Sequence, residues 1–435
     1  MTYKGLVPHF GLPGKSAGRA PDFFPCPGQS TGRAAAAVLS GFAAALAVAA
    51  AALIAFYPPP STFAALYPPQ NNHVRTGRFA GIACNGVQCR LCPYNCFLPE
   101  GARGRCKVRI NYGGRIKTLV YSQAAAVHVD PIEKKPVYHM YPGSLIYSLA
   151  TPGCNLSCKG CQNWEISQLY PEQAPRRVSV PSALEVRFLP DGRAYGEIRS
   201  TETDSLTPED IVKYALATRS KAVAYTYAEP VVFYEYMYDT ALLARKAGLK
   251  NVMVSAGYIN PEPLAELLPL MDVVKIDLKG YNEKFYRAYA GGSLEPVKRT
   301  LLELKKKRVL SEVVNLVIPG LNDSEADLAA LSAWVKENLG ADTPLFFSRF
   351  TPNYLVSELP PTPVATLEKA RAIALKRGLK FVYAGNAPGH PGENTYCPKC
   401  GKVLIRRYGF AVLEDRLTPT GGRCPWDGTK IPGIW

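Results

Sequence analysis

The chain is 435 residues long, 47% hydrophobic and 20% charged, which excludes a disordered protein and leaves room for a large core and more than one domain. Its net charge of +16 is spread along the chain in short runs such as Lys305 to Arg308. No nucleic-acid module accompanies that charge, so no nucleic-acid partner is expected.

In chain order, residues 1–33 are rich in Gly, Pro and basic residues and are expected to be disordered. Ala34 to Tyr57 then runs 24 residues without a charge, long enough for a transmembrane helix and longer than the core of a signal peptide. A retained single-span membrane anchor at 34–57 is the expectation, followed by a linker over 58–83.

A Cys-rich module is expected over 84–144. Cys89, Cys92, Cys96 and Cys106 place four thiols within eighteen residues, with glycines that let the backbone wrap an ion. Such tight spacing suits metal chelation better than a disulfide framework. Zinc and an auxiliary iron–sulfur cluster satisfy it equally well. Cys84 is assigned no role. His128 and His139 bracket the stretch Val129-Asp130-Pro131-Ile132-Glu133-Lys134-Lys135, and for both a structural role is favoured over substrate contact.

Immediately after the apolar run Leu145 to Ala150 stands Cys154-Asn155-Leu156-Ser157-Cys158-Lys159-Gly160-Cys161. A [4Fe–4S] cube normally takes four thiolates. A compact set of three leaves one iron open to an outside ligand. This C-x3-C-x2-C spacing resembles the radical S-adenosylmethionine (SAM) superfamily. With the preceding Cys-Pro-x-x-Cys module and Gln162-Asn163-Trp164, residues 84–435 resemble the AmmeMemoRadiSam-system radical SAM enzymes, relatives of pyruvate formate-lyase activating enzymes.

The resemblance implies an enzyme that binds a [4Fe–4S] cluster at Cys154, Cys158 and Cys161. There SAM is cleaved reductively to a 5′-deoxyadenosyl radical, which takes hydrogen from a protein or small-molecule substrate that the sequence does not identify. It also implies a low-potential electron donor of ferredoxin or flavodoxin type. Such cofactors place the catalytic part in the cytoplasm. Lys15, Arg19 and Arg33 before the apolar stretch instead place the N-terminus inside and the catalytic part outside. The cofactor argument is given the greater weight.

Short β-rich runs alternate with helical patterns from residue 145, so the fold class is α/β with parallel strands. Strands are expected at 145–150, 222–226, 251–255, 273–278, 311–318, 344–349 and 380–383. Helices start at Thr207-Pro208 and Ser324, the second ending at Gly340. The resemblance implies a partial (β/α)6 barrel over 145–385. An inserted β-hairpin interrupts the rhythm within 172–205, either shaping the mouth of the site or passive.

Ligands in parallel α/β folds sit at the carboxyl ends of strands. By resemblance, Glu229 in Tyr225-Thr226-Tyr227-Ala228-Glu229-Pro230 is expected to bind the SAM ammonium. Ser255, Asp277 and Lys279 are expected at the ribose or carboxylate, and Gly320 under the adenine. Two positions depart from the family pattern. Gly160 replaces an aromatic that commonly touches the adenine, and Phe346 replaces a histidine at a substrate contact. The tail, 386–435, reads as a zinc ribbon with Cys397, Cys400 and Cys424. Asp427 stands in the place of the fourth thiol, leaving a Cys3Asp zinc site or a metal-free ribbon open.

Overall fold

A computed structural model describes residues 72–188 and 194–435. The expected disordered N-terminus and the apolar stretch 34–57 lie outside these residues. No helix among the described residues is long and apolar enough to cross a membrane. The membrane-anchored localisation has no support in any described helix and is withdrawn.

The core is one eight-stranded sheet. Its strands are β1 (Ala126–Pro131), β2 (Leu145–Ala150), β3 (Ala222–Tyr225), β4 (Lys250–Ser255), β5 (Val273–Asp277), β6 (Leu310–Val317), β7 (Leu345–Arg349) and β8 (Val382–Gly385). They lie side by side in sequence order, β1 to β8. From β2 onward all pairs are parallel, while β1 pairs antiparallel with β2, Ala126 opposite Ala150. The seven expected strands form one parallel set, one more than a (β/α)6 barrel carries, and β1 adds an antiparallel edge. Strand β1 falls inside the module expected over 84–144, so that boundary also moves.

Near-continuous apolar strands buried on both faces drive this arrangement. Ala222–Tyr225 is buried at every residue, and Leu345, Phe346 and Phe347 are fully buried. Helices α1 (Pro208–Ala217), α2 (Tyr234–Lys246), α3 (Pro261–Leu267), α4 (Leu294–Lys306), α5 (Glu325–Asn338) and α6 (Val364–Lys376) connect successive strands. Thr207 caps α1 by accepting from Asp210 N at 3.2 Å, and Asp210 accepts in return from Thr207 N at 3.1 Å. Ser324 caps α5 in the same way, accepting from Asp327 N at 3.1 Å. Such caps stabilise a helix start by about 1 kcal/mol each.

The inner face of the sheet is floored by the segment after β1. Glu312 on β6 accepts from the backbone N of Tyr138 and of His139, both at 3.0 Å. Phe346 stacks on Tyr383 with ring centroids 4.8 Å apart and meets Tyr138 edge-on at 4.8 Å. The residue expected to replace a substrate-contacting histidine is therefore floor packing.

The N-terminal part begins earlier than expected. Arg75–Thr76 pairs with Lys117–Thr118 and Ala80–Ala83 with Gly86–Cys89, so the span read as linker over 58–83 already carries strands. The inserted hairpin lies within the expected span 172–205 and pairs Val178–Phe188 with Ala194–Thr203. At its base Tyr147 Oη donates to Pro181 O at 3.0 Å. The ribbon folds as three short antiparallel strands, Thr395–Tyr396, Val403–Tyr408 and Ala411–Asp415. It is tied to the floor by Arg407, whose guanidinium lies 3.5 Å from Glu133, both side chains fully buried, and 3.9 Å over the Tyr138 ring.

Candidate functional site

A cavity of about 640 Å³ opens at the carboxyl ends of the parallel strands. Cys154, Cys158 and Cys161 line one side, on the loop that leaves β2. Gly153 has φ +93°, and a Cβ there would stand 2.5 Å from Val108 Cγ1 and 2.7 Å from Cys106 O. Only glycine permits the turn and the close approach to the N-terminal module. The loop is pinned further on by Ser157 N to Ala290 O and Lys159 N to Tyr289 O, each 3.0 Å. Asn163 Nδ2 donates to Tyr227 O at 2.7 Å.

Leu156 N donates to Cys154 Sγ at 3.3 Å, and Ser167 Oγ lies 3.3 Å from Cys161 Sγ. Burial pushes the Cys154 thiol well up and the Cys158 thiol to about 11, with Lys279 acting the other way. Three thiols at one cavity wall, with no fourth cysteine among the lining residues, fit a [4Fe–4S] cluster that keeps one iron open.

The opposing wall comes from the ends of β3, β4 and β5. Glu229 is 2% exposed. It accepts from Ser255 Oγ at 2.6 Å, Ala256 N at 2.9 Å and Val231 N at 3.2 Å. Burial raises its pKa, and these three donors hold it back. Asp277 is flanked by Lys275 and by Lys279 Nζ, the latter at 3.0 Å. Burial alone would raise its pKa, but the two lysines outweigh that and hold it at about 2. Burial works against the Lys279 charge, yet Asp277 and Cys158 together drive its pKa well up.

Seven of the residues expected at the site, the three cysteines with Glu229, Ser255, Asp277 and Lys279, thus share one cavity. Gly320 does not: it sits in a turn with φ +74°, its N–H donating to Asp323 Oδ1 at 2.9 Å, while Ile318 lines the cavity instead. The placement of Gly320 at the site is corrected. The side-chain space at Gly160 is taken: a Cβ there would stand 2.4 Å from Tyr289 Oη, and Tyr289 itself faces the cavity. No described residue of the inserted hairpin lines it.

Lys134, Lys135, Lys275, Ser348, Asn386 and Phe410 also line the cavity and were not anticipated. Lys275 was legible, because side chains two apart on a strand share a face and Asp277 was already placed there. Phe410 was not, since it arrives from the ribbon, far away in sequence. His128 faces the cavity. His139 is fully buried, with Nδ1 2.6 Å from Pro432 O and Nε2 2.9 Å from Tyr383 Oη.

Two further thiol groups stand apart. Cys89, Cys92, Cys96 and Cys106 line one small cavity with Arg109 and Asn155. In the ribbon, the ligand atoms of Cys397, Cys400, Cys424 and Asp427 all lie within 4.8 Å of one another. Cys400 and Cys424 Sγ are 3.7 Å apart, and Cys397 Sγ is 3.3 Å from Asp427 Oδ2. Thr429 N donates to Asp427 Oδ1 at 2.9 Å, which helps keep the carboxylate charged.

A parallel α/β sheet with three thiols at its carboxyl edge defines the class of protein, and the family model agrees. Residues 148–331 match the radical SAM superfamily model. The uncharacterized protein MJ0808 of Methanocaldococcus jannaschii is 43% identical over 347 residues, 80% of this chain and 95% of that protein. The isethionate sulfite-lyase activating enzyme of Nitratidesulfovibrio vulgaris is 29% identical over 109 residues, 24% of this chain and 36% of that enzyme. Among solved structures, a domain of pyruvate-formate lyase-activating enzyme from Bacteroides vulgatus matches with TM-score 0.35 and 12% identity, covering 38% of this chain and 100% of that one.

The chain belongs to the radical SAM superfamily, which implies cleavage of SAM to a radical at an iron–sulfur cluster.

Proposed function

We propose that this chain is an activating-enzyme-like radical SAM oxidoreductase, of the AmmeMemoRadiSam-system type that its motifs resemble, which takes hydrogen from a protein or small-molecule substrate. The observation that carries the reading is the single cavity in which Cys154, Cys158 and Cys161 face Glu229, Ser255, Asp277 and Lys279. When bound at the three cysteines, a [4Fe–4S] cluster supplies the electron that splits SAM into methionine and a 5′-deoxyadenosyl radical.

The chain's own residues bind and shield. Glu229, fixed by Ser255 and two backbone N–H groups, keeps one lone pair, on Oε2, for the SAM ammonium, and a buried carboxylate makes a strong charge-assisted hydrogen bond. Lys279, held by Asp277, presents a cation where the SAM carboxylate needs one. Tyr289 and Ile318 supply apolar surface for the adenine, and the floor around Phe346 excludes water, which protects a radical from side reactions. Cys397, Cys400, Cys424 and Asp427 form a Cys3Asp zinc site, and the Cys89 group holds an accessory metal centre. A ferredoxin- or flavodoxin-like donor supplies electrons.

The test is equilibrium binding of SAM to the anaerobically reconstituted full chain. The reading expects binding that requires iron and is lost when Cys154, Cys158 and Cys161 are all alanine. Binding that is indifferent to iron would sink it.

A further inference from the structure

We propose that Cys89, Cys92, Cys96 and Cys106 hold a second iron–sulfur cluster of the four-iron type, and not zinc. This deepens the reading of that group as an accessory metal centre.

Spacing favours a cluster over a single ion. A single zinc ion binds thiolates at about 2.3 Å in a tetrahedron, so the sulfurs stand about 3.8 Å apart. The ribbon meets that geometry, with Cys400 and Cys424 Sγ at 3.7 Å. Among the described residues, the ribbon group is the only set of three or more metal-ligand side chains whose donor atoms all lie within 4.8 Å of one another. The Cys89 group lines one cavity, but its sulfurs are not gathered that closely, and neither are those of the Cys154 triad. In a four-iron cube each thiolate takes its own iron, so the sulfurs stand farther apart than around one ion. Two wide sets and one tight set are what two clusters and one zinc would need.

The cavity is otherwise built for such a group. Arg109 is 1% exposed and lines the same cavity. Its Nη1 meets the Glu235 carboxylate at 2.9 and 3.0 Å, while its Nε has no hydrogen-bond partner. A buried N–H and a buried cation beside four thiolates suit a negatively charged cluster whose sulfurs accept hydrogen bonds. The site also adjoins the triad loop: Asn155, next to Cys154, lines it, and the Cys106 carbonyl abuts Gly153. Assembly takes two ferrous and two ferric ions with four sulfides, and each of the four thiols releases one proton to solvent as it binds its iron, with no change in the protein's own oxidation state.

The test counts metals in the full chain after anaerobic reconstitution with iron and sulfide, alongside Mössbauer spectra. About eight iron and one zinc per chain are expected. With Cys154, Cys158 and Cys161 all alanine, about four iron in a cubane signature should remain. With Cys89→Ser and Cys106→Ser together, about four should remain at the triad, and iron-dependent SAM binding reports the triad separately. About four iron and two zinc in the wild-type chain would overturn the inference and leave the triad reading intact, whether or not either variant folds.

Discussion

Glu229 shows how one carboxylate serves both structure and ligand. It bridges the turn after β3 to the end of β4 through Ser255 Oγ and Ala256 N, so its position is set before any ligand arrives. Replacing it with glutamine keeps the shape and removes the charge. A hydrogen bond to a charged group contributes about 1.5–3 kcal/mol, so Glu229→Gln should weaken SAM binding about tenfold to a hundredfold, read by equilibrium titration; unchanged affinity would remove Glu229 from the SAM site. Asp277 makes a different prediction. Its folded pKa of about 2 lies below the unfolded value of about 3.9, so its contribution to stability is present above pH about 4 and is lost as pH falls through about 2. The stability gap between wild type and Asp277→Asn should therefore narrow across that window in denaturant titrations, whereas a constant gap would refute the lysine clamp. Glu229, Ser255, Asp277 and Lys279 were legible because each stands at or just past the carboxyl end of an apolar strand. Gly320 misled because its positive φ serves a local turn closed by Asp323, and sequence alone does not tell a turn glycine from one that admits a ligand.

Each of the seven parallel strands was readable as a short apolar run, and most ends agree within two residues, because burial on both faces leaves a continuous hydrophobic signature. Strand β1 was missed since Ala126–Pro131 mixes apolar residues with His128 and Asp130, as an edge strand does. The floor was illegible for another reason: Glu133 and Arg407 lie far apart in sequence and meet only in the folded protein. Their buried pair fixes the ribbon to the floor of the sheet. Glu133→Gln would take the nearest counter-charge from buried Arg407, which keeps its bonds to Glu393 O, Thr395 Oγ1 and Tyr138 O, so a cost at the lower end of the about 3–5 kcal/mol of a broken buried pair is expected in thermal or denaturant unfolding; a change below about 1 kcal/mol would mean the ribbon is held otherwise. Within the ribbon, Asp427→Ala should lower zinc affinity and Asp427→Cys raise it, because a thiolate is the softer ligand. Metal competition with a chelator orders the three. Equal affinity of all three would exclude Asp427 as a ligand.

At the scale of the molecule, three thiol groups occupy three different settings on one framework: a loop at the open edge of the sheet, a module wrapped against that loop, and a ribbon that closes the floor and sends Phe410 to the cavity. The cysteine spacings showed each group in the sequence. They did not show that Gly153 presses the first against the second, or that the third reaches the cavity, since both are consequences of packing between distant segments. The membrane expectation came from composition alone, and nothing in the described fold supports it. The central claim is that the cavity turns SAM over. The most direct measurement is 5′-deoxyadenosine released after dithionite and SAM are added to the anaerobically reconstituted full chain, beside a Cys158→Ala control. Product from the wild type and none from the control is the predicted result. A wild-type protein that carries its iron and binds SAM yet releases no deoxyadenosine would contradict the account.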